Sequence, residues 1–146
     1  MQRTLTLVGA LGVVLVVAST ASAAIFMRLS TSHAHRGGIV RIFGNPRHMP
    51  LYALPIRKLP CIKHNTCTGL IHRATLPRRP FVLLGRAPGE GSGDYAPPPR
   101  AFTIRLPRAL SAGKYAVFVW CAPCGGSLIS AGTNPSGQPQ ILVVRP

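Results

Sequence analysis

Two close pairs of cysteines are the residues of this chain best placed to do chemistry. Cys61 and Cys67 bracket Ile62-Lys63-His64-Asn65-Thr66, while Cys121 and Cys124 bracket Ala122-Pro123. Paired thiols support a disulfide staple, a metal site or thiol–disulfide exchange. The compartment decides among them, because thiols oxidise outside the cytoplasm and stay reduced inside it. Arg3 is the only charge before Arg28, and the run Leu5 to Met27 is rich in Leu, Val and Ala. Ala21-Ser22-Ala23 places small residues at the two positions a signal peptidase reads, so residues 1–23 read as a signal peptide. A bilayer needs about 20 apolar residues, so the alternative reading of residues 5–27 is an uncleaved membrane anchor. Either reading puts the rest of the chain in an oxidising, extracytoplasmic space, secreted or held at the cell surface.

In that setting four cysteines point to two disulfides, with three possible pairings. Pairing Cys61 with Cys67 and Cys121 with Cys124 needs no assumption about the fold, and each small loop would contribute about 2 kcal/mol. Zinc held by the four thiols, with His64 or His72, is a second reading. The first spacing is wide of the usual two to four residues for such a site. A third comes from Trp120-Cys121-Ala122-Pro123-Cys124, which resembles the thioredoxin-family redox motif and implies a thiol-disulfide oxidoreductase. In that family the pair opens a helix whose N-terminus activates the first thiol. Here Gly125-Gly126 follows at once, a poor helix start.

Histidines supply another set of metal ligands. His35, His48 with its neighbour Met49, and His64 would together suit copper or zinc. Cleavage after Ala34 would leave His35 at the N-terminus, where its amine and imidazole nitrogens chelate copper(II) well. That start resembles the copper-resistance carrier family of small exported immunoglobulin-like domains. The same family carries an Asp-x-His element near its end, and this chain has no His beyond His72.

Only two acids are present, Glu90 and Asp94, and both sit in Gly89-Glu90-Gly91-Ser92-Gly93-Asp94 ahead of Pro97-Pro98-Pro99. A carboxylate pair doing acid–base work needs rigid surroundings that split the two pKa values. A Gly-rich loop running into polyproline offers none. Two carboxylates are also too few for a calcium site. There is no Gly-x-Ser-x-Gly elbow and no P-loop. The expectation is a non-catalytic module with no cofactor and no small-molecule substrate.

Charge is the other strong feature. Lys and Arg number 17 against the two acids, for a formal charge of +15. Arg dominates, and its planar fork suits phosphate and carboxylate better than the Lys ammonium does. The expected partners are anionic cell-envelope polymers or lipid headgroups, met through Lys63, Arg73, Arg78, Arg79, Arg105 and Arg108. No basic stripe interleaved with aromatics appears, so no specific nucleic acid is expected.

The elements that must hold these groups are short. Residues 24–37 read as a linker, polar and His-rich from Ser30 onward. Strands are expected at 38–43, 69–76, 81–85, 101–106, 114–121, 127–130 and 140–144. Leu51 to Leu59 is extended, but Pro50, Pro55 and Pro60 argue for an edge or a loop. On 114–121, Tyr115, Val117 and Val119 share one face, and Phe118 and Trp120 the other. After residue 30 no window shows a helical stripe, and 15 Pro with 15 Gly argue against long helices. The class is all-β, a sandwich or barrel of about seven strands over residues 38–146, with a Gly/Pro-rich loop at 86–100.

Leu110-Ser111-Ala112-Gly113-Lys114-Tyr115-Ala116-Val117 resembles the corner between two strands of an immunoglobulin-like sandwich. There a Tyr at the start of the second strand turns its hydroxyl back to the preceding backbone. The segment Phe102 to Val144 is similar to the closing strands of small exported bacterial immunoglobulin-like domains. That resemblance implies a β-sandwich acting as a surface or binding module, and implies no chemistry.

Overall fold

The computed structural model describes residues 25–59, 70–72, 77–89, 99–122, 124, 126–132 and 139–146. Among these residues ten strands form two sheets. Met27–Leu29 (β1), Ile39–Gly44 (β3) and Arg100–Arg105 (β7) make a three-stranded antiparallel sheet in the order β1-β3-β7. The larger sheet runs β2-β10-β8-β4-β6, from His33–His35 (β2) and Ile141–Arg145 (β10) through Gly113–Cys121 (β8) to Pro50–Pro55 (β4) and Val82–Arg86 (β6). Ser127–Ser130 (β9) pairs with the last four residues of β8, beyond the stretch that β10 occupies on the same edge. Leu70–His72 (β5) extends that corner by pairing with β9. All pairings are antiparallel except β2 with β10.

Alternation builds the core. Val40 and Ile42 of β3 and Phe102 and Ile104 of β7 point inward, while Arg41, Thr103 and Arg105 point out. They meet Leu51, Ala53, Val117, Val119, Leu142 and Val144 of the larger sheet in one buried cluster. Burying such side chains contributes about 1.5–3 kcal/mol each before entropy is counted. The opposite face of the larger sheet is also covered. Tyr52, Leu54, Phe118, Trp120 and Leu128 pack there with Leu59 and Phe81. The division of β8 into Tyr115, Val117 and Val119 on one face and Phe118 and Trp120 on the other is the one its alternation gives.

Three expectations are corrected. The domain does not start at residue 38, because β1 and β2 lie in the segment read as a linker. Each has only three residues, too few for alternation to stand out, yet Met27, Leu29 and Ala34 are core residues. Met27 is 1% exposed, so the last residue of the 5–27 span read as an anchor belongs to the core. The stretch from Leu51 is not an edge. β4 lies between β8 and β6, because Pro50 and Pro55 fall at its two ends and Leu51–Leu54 supply the ladder. Past Pro55 the chain leaves the sheet in a 3-10 turn, Ile56–Lys58.

Two tertiary ties hold β1. Asn45 accepts from the Phe26 N–H at 2.6 Å and its own N–H donates to the Phe26 carbonyl at 3.0 Å. Gln140 accepts from the Leu29 N–H at 2.6 Å and donates to the Leu29 carbonyl at 3.4 Å, in the manner of a neighbouring strand. Gly132 makes room for this. Its φ is +55°, and a Cβ there would sit 2.6 Å from the Gln140 side-chain oxygen.

Candidate functional site

The connections at one end of the sandwich gather the cations. β3 begins where β7 ends, since Ile39 pairs with Arg105. β8 starts at that same end, beside the close of β10 and of β4, with Gly113 opposite Val144 and Tyr115 opposite Pro55. Val82, the first residue of β6, pairs with Ala53 and so begins there too. The turn from β2 to β3 carries Arg36, and the 3-10 turn after β4 carries Arg57 and Lys58. Arg78 and Arg79 lie in the turn leading into β6. Arg105 ends β7 and Arg108 follows it, Lys114 is the second residue of β8, and Arg145 closes β10.

That end therefore holds nine of the fourteen Lys and Arg among the described residues, all exposed. Arg47, Arg86 and Arg100 belong to the other end, and Arg28 and Arg41 to the outer face of the three-stranded sheet. No Asp or Glu lies among the described residues. Five strands at about 4.8 Å spacing make this end about 19 Å across. It is held in shape by backbone contacts. Arg105 donates to the Gly37 carbonyl at 2.9 Å, the Arg108 side chain lies against Gly37, and the Tyr115 hydroxyl donates to the Ser111 carbonyl at 2.8 Å. A shallow depression of about 180 Å³ opens beside Tyr115, with Arg57 and Lys114 on its rim. Ligand pockets usually run from about 300 Å³ upward, so this one suits a charged group on a larger partner and not a buried small molecule.

Of the six cations singled out from sequence, Arg78, Arg79, Arg105 and Arg108 share this end. Lys63 and Arg73 lie outside the described residues. Arg36, Arg57, Lys58, Lys114 and Arg145 do not stand out in the sequence, because they are far apart in the chain. The signal that finds them is topological: in an antiparallel sandwich, alternate connections share an end.

Among the described residues the metal-ligand set is not brought together. His35 accompanies Arg145 at the basic end, its Nδ1 lying 2.9 Å from the Pro146 oxygen. His48 and Met49 precede β4 at the other end, where the Arg86 guanidinium donates to the His48 carbonyl at 3.0 Å. The stretch of β8 from Gly113 to Val119 separates the two levels, about 20 Å at strand rise. His64 lies outside the described residues. No group of three potential ligands forms among the described residues.

Cys121 and Cys124 are disulfide-bonded, their Cα atoms 5.2 Å apart. Cys121 ends β8 and is 1% exposed, while Cys124 is exposed. The next element is the strand β9 and not a helix, so the activating helix N-terminus of the redox motif is missing. Cys61 and Cys67 lie outside the described residues. Compared with known protein families, curated proteins and solved structures, the chain matches none of them.

Proposed function

We propose that this chain is a non-catalytic, exported β-sandwich that binds anionic material of the cell envelope through its basic end. The supporting observation is the gathering of nine exposed cations on alternate connections, with no described carboxylate among them. Like charges brought together repel, and solubility needs only that they be spread. Concentration at one end fits a polyanionic partner, on which Arg forks make bidentate contacts to phosphate or carboxylate. The fold reading that accompanies this is immunoglobulin-like. β3 and β7 would be the B and E strands, β4, β8 and β10 the C, F and G strands, and β6 the added C′ strand. Tyr115, hydrogen-bonded back to Ser111 at the β7–β8 corner, fits the tyrosine corner of that fold.

The test uses long-chain polyphosphate as a soluble polyanion. Replacing Arg78 and Arg79 by Ser should weaken binding about tenfold at low salt and flatten its salt dependence. Replacing Arg86 and Arg100, at the opposite end, should leave binding within about twofold. Equal losses from both pairs, or none from either, would overturn the reading.

A further inference from the structure

The outer face of the three-stranded sheet has a different character from the basic end. Cations and apolar side chains alternate across it in register. Arg28 sits opposite Phe43, and Ile39 sits opposite Arg105, with Arg41 between these two rows. Phe26 is 42% and Ile39 55% exposed, two of the three large apolar side chains most open to solvent among the described residues. The Arg28 guanidinium lies 5.0 Å over the Phe43 ring, and the Phe26 ring meets Phe43 edge-on at 6.3 Å.

We infer that this face docks onto a bilayer carrying anionic lipids. The inference goes beyond the basic end to a second face, and rests on the reading of an anionic envelope partner. A soluble polyanion would use the Arg residues but gain nothing from Phe26 and Ile39. At a lipid interface both are used: Arg pairs with headgroup phosphate while short apolar side chains enter the acyl boundary. A second copy of this chain would present the same positive surface and be repelled. Position points the same way. Phe26 and Arg28 follow directly on the apolar run Leu5 to Ala24, 20 residues that would span about 30 Å as a helix. Where that run serves as an anchor, this face begins at the membrane-proximal end of the domain.

The test measures binding of the full chain to vesicles of phosphatidylglycerol in phosphatidylcholine, with pure phosphatidylcholine reporting any contribution of the N-terminal run. Phe26→Ser with Ile39→Ser should lower binding to the anionic vesicles about tenfold, the effect of withdrawing a few methylenes from the acyl boundary. Polyphosphate binding should stay unchanged in that variant. Ile39→Trp should shift its emission to the blue on anionic vesicles, since Trp120 is already buried. Unchanged vesicle binding of the double variant, or no emission shift in the Ile39→Trp variant, would overturn the inference. Vesicle binding lost only with Arg78→Ser and Arg79→Ser would overturn it as well, while leaving the basic end as the anion site. Absence of both vesicle and polyphosphate binding would remove the anion reading itself.

Discussion

The Tyr115 hydroxyl donates to the Ser111 carbonyl across four residues, at 2.8 Å. This bond closes the corner where the chain leaves the three-stranded sheet and enters the centre of the other. It fixes Ser111 to Lys114, which line the depression at the basic end. Tyr115→Phe keeps the ring in the core and removes only the bond, leaving a partly buried carbonyl without its donor. The expected cost is about 1–2 kcal/mol, seen as a lower urea midpoint with unchanged slope. A variant as stable as the parent would show that the corner is held by packing alone.

Gln140 stands in for a strand beside β1. Gln140→Ala removes both bonds to Leu29 and should cost about 1–3 kcal/mol, since the Leu29 N–H is left unpaired. Gly132→Ala should act through the same contact, by pushing the Gln140 side chain off β1. Hydrogen exchange checks this: the Leu29 amide should lose protection in both variants while the β8 amides keep theirs.

How much is legible in the sequence follows from strand length. Gly113–Cys121 and Arg100–Arg105 are long enough for alternation to reveal their faces, and both lie within a residue or two of where alternation puts them. β1 and β2 stay hidden, because three residues make one inward contact or two; β1 merges with the apolar run before it, and β2 sits among polar neighbours. The prolines around β4 argue for an edge only when they are counted without regard to position. At the ends of a strand a missing N–H disturbs no ladder bond. The basic end is half visible. Arg78-Arg79 announces itself as a doublet, but Lys114 joins Arg57 only once β4 is seen to close beside the start of β8.

Cys121 is buried and Cys124 exposed, so breaking their bond from the outer side is the milder perturbation. Cys124→Ser leaves Cys121 as a small apolar residue in its packed site. The loop between them is short, and its loss should cost about 2 kcal/mol. The chain should stay folded, with its melting point lowered and its polyphosphate binding unchanged. Loss of binding would place the turn near the anion site, contrary to its position at the far end of β8.

A chain beginning at His35, as the copper-carrier reading requires, would lack β1 and most of β2. Met27, Leu29 and Ala34 would be gone from the core, and β10 would lose its parallel neighbour. Leaving three core positions vacant costs several kcal/mol, a large part of the roughly 5–15 kcal/mol that holds a typical domain together. Such a chain should show no cooperative thermal transition by circular dichroism, with or without copper. A chain beginning at Ala24 should unfold cooperatively. If the shorter chain folded on adding copper, the copper-carrier reading would displace the anion-binding one.

The basic end also makes a prediction about stability that a purely structural patch would not. Arg78 and Arg79 are exposed, adjacent, and share their end with seven other cations. Their mutual repulsion opposes folding, so Arg78→Ser with Arg79→Ser should raise the melting temperature by a few degrees at low salt. The gain should vanish near 1 M salt, where charges are screened beyond about 3 Å. The same variant is the one expected to lose polyphosphate binding. Weaker binding together with a more stable fold would mean that these charges are kept for a partner and not for the domain. A variant that melts lower instead would assign the two arginines a role in holding the turn before β6.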